Sequence, residues 1–325
     1  MSEKRPANSV SIVIPCRNHA AALERCLTAL AEETADLSLE IVVVDSSDEP
    51  SAAEVLRKHA GVTLVKSTRQ LMPGAARNRG AAVAKGEFLL FVDADCTVER
   101  GWLQEAVDQL RQGRRAVGGP VLHGAPWHPI AVIDNLMQFL GLTPAQPAGP
   151  VQLLPSCNFG IGKADFQAIG GFPELEHVAG EDVLYFAEAR RRWPDALYFH
   201  PDMRVRHFGR TSWRSFLAHQ FSFGYIRAFY ALELKKIHLD WGCRAWMVPA
   251  VAARRLYFLY SRALTHPQSL CYLIVLFPIL LAGVSAWSIG FHKGCKTRAD
   301  LSRHEGSLQD GEGLSKTSVV AKDRR

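Results

Sequence analysis

"FLLFVDADCTVERGW", residues 88–102, runs five apolar residues straight into Asp93 and Asp95, with only Ala94 between the two carboxylates. A short continuous apolar run of this kind reads as a strand buried on both faces of a parallel sheet. Three earlier stretches share the pattern: "SIVIP" (11–15), "EIVVVD" (40–45) and "VTLVKS" (62–67). Helical segments over residues 20–33, 51–59, 73–85 and 99–111 separate and follow them. Alternating strand and helix predicts an α/β domain with a doubly wound, mostly parallel, Rossmann-like sheet. Ligands of such sheets bind beyond the carboxyl ends of the strands. Here those ends carry "PCRN", "DSSD" and "DAD", so the polar chemistry falls where a site is expected.

The chain has 325 residues, 48% hydrophobic and 22% charged, with a formal net charge of +6. Its Lys and Arg are scattered and carry no nucleic-acid-binding signature, so no nucleic acid partner is expected. A mild positive balance suits an anionic small molecule or a membrane surface. The seven cysteines are dispersed, without metal-ligand or disulfide spacing, and read as small core residues of a reducing compartment. "MSEKRPANSV" has no apolar leader core, which places the catalytic domain in the cytoplasm as an expectation.

Two carboxylates at a strand end read plainly as a solvated turn, with Asp95 or Thr97 capping the next helix. They also suit a hard divalent cation, Mn²⁺ or Mg²⁺, which takes one or two carboxylates and completes its shell with substrate phosphates. Asp45 ends the second strand in "VVVDSSD". It is placed to accept a hydrogen bond from a nucleobase or ribose, or simply to close an Asx turn. Arg77 and Arg79 lie on a helix that Pro73 and Gly74 open just before the Asp93 strand, a position that favours phosphate.

In order, "SIVIPCRN", "VVVDSSD", "GAARNRGAAVAKGEFLLFVDADC", "CNFGIGKADFQAIGGF" and "GEDVLYFAEARR" resemble the family-two glycosyltransferases, inverting enzymes of the GT-A fold. The resemblance covers residues 10–224 and implies a nucleoside-diphosphate sugar donor, UDP-sugar by preference, and a Mn²⁺ or Mg²⁺ cofactor. It implies that Pro15 and Arg17 line the nucleoside pocket, Asp45 recognises the base and Arg77 lies near the base or diphosphate. Asp93 would touch the ribose or sugar side and the metal, and Asp95 would be the principal metal ligand. Asp182 would be the general base, with Glu181 beside it shaping the acceptor pocket. His207, ending "VRH", matches a further metal or diphosphate contact.

The sequence departs from the family pattern in places. Arg17 stands where an aromatic is common, and "DSSD" lacks the second carboxylate of the usual motif. The Q-x-x-R-W element of processive relatives is missing, which favours a single sugar transfer. A sugar-phosphate nucleotidyltransferase is disfavoured, because "PCRNHAAALERC" lacks the glycines of a triphosphate loop. A non-catalytic scaffold would be expected to have lost Asp45, Asp93, Asp95 or Asp182.

The remaining segments set the expected organisation. Residues 1–225 are read as the catalytic domain, with a donor half to residue 120 and an acceptor half from 121. Residues 127–142, "WHPIAVIDNLMQFLGL", read as an amphipathic helix that packs on the domain or touches lipid. Residues 226–291 are read as a hydrophobic, membrane-associated helical region, and residues 292–325 as a polar disordered tail. Within that region, 270–290 has no charged residue and is long enough to span a bilayer, while Pro278 and Gly283 allow a re-entrant hairpin. The stretch 247–264, interrupted by Arg254, Arg255 and Arg262, reads as interfacial. A membrane lipid partner and a glycan or lipid-linked acceptor follow as expectations.

Overall fold

The computed structural model describes residues 9–33, 38–48, 51–174, 180–233 and 244–309. The first half alternates as the hydrophobic runs require: β1 (Val10–Cys16), α1 (Ala20–Ala31), β2 (Leu39–Asp45), α2 (Ser51–Leu56), β3 (Val62–Lys66), α3 (Pro73–Val83) and β4 (Phe88–Val92). Short pieces follow: β5 (Cys96–Val98), α4 (Trp102–Arg111), β6 (Ala116–Gly118), β7 (Val121–His123), α5 (Pro129–Phe139) and β8 (Gly149–Pro150). Then come β9 (Asn158–Gly162), α6 (Lys163–Ile169), α7 (Glu181–Arg192), β10 (Leu197–Phe199) and β11 (Val205–His207).

Eight strands form the main sheet in the order β3-β2-β1-β4-β9-β6-β10-β8. Pairings among β1 to β4 are parallel, while β9 runs antiparallel to both β4 and β6. A second sheet of three strands, β5-β11-β7, begins after the three residues that follow β4 and frames the Asp93–Asp95 turn. The strand β4 shows why its sequence is unbroken. Leu90 and Val92 enter the layer beneath α1 and α4, whereas Leu89 and Phe91 enter the layer holding Phe159, Phe166, Phe172, Tyr185 and Phe186. Burial on both faces demands apolar residues at every position.

Asn158 fixes the turn after β4 from behind. Fully buried, it accepts from Trp102 Nε1 at 2.8 Å and donates to the carbonyls of Pro120 and Met203 at 3.0 and 2.7 Å. It thereby joins the main sheet to α4 and to the segments that lead into β7 and β11.

Among the described residues four α-helices follow: α8 (Trp213–Glu233), α9 (Val248–Ala263), α10 (Pro267–Val275) and α11 (Phe277–Gln309). The boundary drawn at residue 225 falls inside α8, which continues across it without a break. α8 and α11 approach at backbone contact, because a Cβ on Gly224 would lie 1.8 Å from the Trp287 carbonyl oxygen and one on Gly290 2.0 Å from that of Phe221. Only glycine permits this crossing. α5 is buried from Ile130 through Met137, so it packs inside the molecule and does not face lipid.

The apolar stretch 270–290, for which both a span and a re-entrant hairpin are expected, breaks at Leu276, and the two parts bend by 85°. Pro278 lacks the N–H that would bond to Ile274 and disfavours helical geometry at Phe277. The new helix starts instead on the Leu276 carbonyl, which accepts from Ile279 and Leu280. The tail expected to be disordered from residue 292 continues as helix to Gln309, since its Lys, Arg, Ala, Leu and Glu residues favour helix. Residues 310–325 lie outside those described. None of the six described cysteines is in a disulfide, and five are buried, as their dispersal predicts.

Candidate active site

The end of the sheet that carries the expected nucleoside-pocket residues is built by the chain leaving β1 and β2. Ser46 N–H donates to the Cys16 carbonyl at 3.0 Å, continuing the ladder past both strands. Asp45 is fully buried, with Oδ1 accepting the Ser47 amide at 2.8 Å and Oδ2 accepting Lys66 Nζ at 2.8 Å. The Asx-turn role and a charged partner are therefore both present, and Lys66, at the end of β3, is a candidate site residue that the sequence does not single out. Asn18 adopts a left-handed φ of 56°, which is uncommon outside glycine. Its backbone N–H donates to Ser47 Oγ at 2.7 Å, and its side chain exchanges hydrogen bonds with Asp48. Arg17 lies 3.6 Å from Asp48, and Pro15 sits half-buried in β1. The residues expected at the nucleoside pocket thus converge on one rim.

Arg77, which the resemblance puts near the base or diphosphate, lies buried between two carboxylates. It is 1% exposed, and its guanidinium spans two carboxylates: Nη2 donates to Asp93 Oδ1 at 2.6 Å and Nη1 to Glu181 Oε1 at 2.8 Å. The planar fork suits such bridging in a way a lysine does not. It ties the end of β4 to the first turn of α7. Asp93 is consequently held by Arg77, and its Oδ1 is taken.

α7 begins at Gly180, whose φ of 97° allows the sharp entry, and carries Glu181 and Asp182 in its first turn and three arginines in its last. That arrangement complements the helix dipole. Burial and then the Asp182 charge push Glu181 up to about 7, against the pull of Arg77. Burial likewise raises Asp182, opposed by Arg77 and by the Val183 amide, which donates to Asp182 Oδ1 at 2.7 Å. A carboxylate raised in this way is a stronger base than an exposed one.

On the other side of the turn, β11 lies antiparallel to β5 and brings His207 Nε2 to 3.5 Å from Asp95 Oδ2. Burial opposes ionisation of Asp95, yet His207, by charge and hydrogen bond, and Arg210 hold it well below the usual carboxylate range. The Asp95 side chain is 31% exposed. Besides His207, its side chain meets the Cys96 thiol at 3.9 Å. Among the described residues no three His, Cys, Asp or Glu side chains form a complete cation cage. Asp95 and His207 fit a cation that takes most of its shell from diphosphate and water. Arg77 leaves Asp93 less free to join them.

Residues 11–170 match the family described as Glycosyl transferase family 2. Through this segment the chain belongs to that family. The matched region runs from β1 to the end of α6 and contains Asp45, Arg77, Asp93 and Asp95; α7 and β11, with Asp182 and His207, lie beyond it. The chain is 30% identical over 230 residues to a pre-mycofactocin glycosyltransferase of Mycobacterium tuberculosis, covering 66% of this chain and 46% of that protein. It is 31% identical over 186 residues to glycosyltransferase AglE of Haloferax volcanii, covering 55% and 60%. The chain therefore spans about half the length of these curated relatives.

Two solved structures share the fold over most of both chains. Mannosyltransferase PcManGT from Pyrobaculum calidifontis, in complex with GDP-Man and Mn²⁺, gives a TM-score of 0.53 at 19% identity, covering 93% of this chain and 88% of the other. S. aureus TarS 1–349 gives 0.51 at 16%, covering 90% and 92%. The mixed α/β architecture around a large central sheet is the GT-A type that the family-two motifs imply.

Proposed function

We propose that this family-two protein transfers one sugar from a nucleoside-diphosphate sugar to a hydroxyl acceptor, with inversion at the anomeric carbon. The observation that carries the reading is the locking of α7 onto the end of β4 by Arg77, which holds the GED turn against the strand that delivers Asp93 and Asp95. Inversion in one displacement needs a base for the acceptor hydroxyl and a stabilised diphosphate leaving group. Asp182 takes the hydroxyl proton at a carboxylate oxygen. Asp95 and His207 would hold Mn²⁺ or Mg²⁺, which when bound would neutralise charge on the departing diphosphate. Lys66, Asp45 and the Asn18–Ser47–Asp48 turn shape the nucleoside end. UDP-sugars are the first donors to test and GDP-sugars the second, since PcManGT holds GDP-Man. Calorimetric titration of the intact protein with UDP and with GDP, with and without Mn²⁺, tests the donor site. Selective metal-dependent binding supports it, and absence of binding by folded protein returns the scaffold reading.

We infer further that the chain works at the cytoplasmic surface of a membrane on a lipid-linked or membrane-proximal acceptor. No single described helix is long and apolar enough to cross a membrane; α10 and the first part of α11 reach that length and apolarity only as a pair, bent by 85°. At that bend Ile274, Val275, Phe277 and Leu281 are 59%, 67%, 40% and 42% exposed. Tyr257, Phe258 and Leu264 are also exposed, as are Arg254 and Arg262 on α9. An uncharged apolar tip flanked by aromatic and arginine residues suits insertion into one leaflet. Val275→Asp with Phe277→Asp is expected to weaken co-flotation with anionic phospholipid vesicles by about a hundredfold. Unchanged flotation would remove the membrane from the proposal.

A further inference from the structure

α5 carries one acidic residue, Asp134, in a buried stretch, residues 130–137, whose only other polar side chain is Asn135. A carboxylate with no exposure is costly unless every lone pair is used. Here four donors use them. Asp134 Oδ2 accepts the Arg210 backbone N–H and Arg210 Nη1, both at 3.3 Å. Oδ1 accepts Gln220 Nε2 at 3.0 Å and faces His219 Nδ1 at 3.2 Å. The segment gripped in this way begins at His207, the residue beside Asp95. Phe208 N–H donates to the Asp95 carbonyl at 2.9 Å, and the His207 ring meets the Phe139 edge of α5 at 5.4 Å. Gly209 closes the arrangement. A Cβ there would stand 3.2 Å from Asp134 Oδ2 and 3.4 Å from the Ala131 carbonyl, so the strand exit lies flat on α5.

We propose that Asp134 is a positioning residue for the donor side of the site: by gripping Arg210 and admitting Gly209, it fixes the 207–210 segment so that His207 faces Asp95. The inference rests on the donor-site reading above. Asp134 touches neither nucleotide nor cation in this scheme and acts through the segment it holds. His219 and Gln220 belong to α8, so the same carboxylate also couples that segment to the C-terminal helices.

The test is calorimetric titration of the full chain with UDP and GDP in Mn²⁺, comparing wild type with Asp134→Asn. The amide keeps the shape but turns an N–H pair toward donors. Expected is a rise of at least about tenfold in the nucleotide Kd and in the Mn²⁺ concentration for half-saturation, with binding stoichiometry near one. A merely structural role would lower the stoichiometry or the melting temperature and leave both midpoints unmoved. Gly209→Ala is expected to weaken binding in the same sense, which keeps the inference testable if Asp134→Asn folds poorly. Arg210→Gln should add less than about twofold in the Asp134→Asn background, because both act on one unit. Wild-type binding that Asp134→Asn and Gly209→Ala leave unchanged overturns the inference alone. Wild type that binds neither nucleotide overturns the donor-site reading and this inference with it.

Discussion

Asp182→Asn is expected to lower the transfer rate by about 10²–10⁴-fold while leaving donor binding intact. The amide preserves the shape of the first turn of α7 and can still accept the Val183 amide through its oxygen, but it cannot take a proton. The sign of the pH dependence follows from the same group. Burial raises Asp182 above the ordinary aspartate value, and Glu181 beside it is pushed up to about 7 by burial and by the Asp182 charge. A base works when deprotonated, so the rate should rise with pH through a limb lying above the range of an exposed aspartate. Because Glu181 and Asp182 interact, the limb belongs to the pair. Single-turnover rates from about pH 4 to 8 for wild type and Asp182→Asn provide the check. Wild-type activity retained in the variant would place the base elsewhere.

Arg77→Leu should carry the largest stability cost. The substitution strands two carboxylates that now share one buried guanidinium: Glu181, whose side chain is 6% exposed, and Asp93, at 31%. Removing one partner of a buried ionic network costs about 3–5 kcal/mol, because the remaining charges stay desolvated. Arg77 itself lies over the Phe172 ring at 5.5 Å, so some packing is lost as well. Urea unfolding of wild type and variant measures the loss. Arg77→Lys should fall between them, keeping the charge but losing the fork that reaches both carboxylates. A loss below about 1 kcal/mol for Arg77→Leu would show that the bridge does not hold α7 to β4.

The parallel half of the sheet was legible because each strand is buried on both faces, and such strands must be written as unbroken apolar runs. β10 and β11 are legible as short strand-like pieces near residues 197–200 and 203–207, whereas β5, β6 and β7, of three residues, and β8, of two, are too short to show a period. β9, "NFGIG", does not read as a strand in sequence, since its glycines mask the pattern. Gly160, for one, is required because a Cβ there would lie 2.3 Å from Leu90 Cδ2. The acidic residues at strand ends were legible by position. The carboxylate-bridging role of Arg77 was not, because an arginine on a helix looks the same in sequence whether it faces solvent or lies buried between two acids. Asp134 did leave a signal, as a lone charge inside "AVIDNLM". A buried acid calls for donors, and those donors, Arg210, His219 and Gln220, come from a distant segment that sequence alone does not align with it.

The central claim is that one end of the sheet holds a nucleoside diphosphate through a cation at Asp95 while a separate group, Asp182, performs the proton transfer. The most direct test measures Mn²⁺-dependent nucleotide binding and donor turnover together in wild type, Asp95→Asn and Asp182→Asn. Expected is a split: Asp95→Asn loses metal-dependent binding and turnover, whereas Asp182→Asn binds as wild type does and loses turnover. Metal-dependent binding that survives in Asp95→Asn, or turnover that survives in Asp182→Asn, would contradict it.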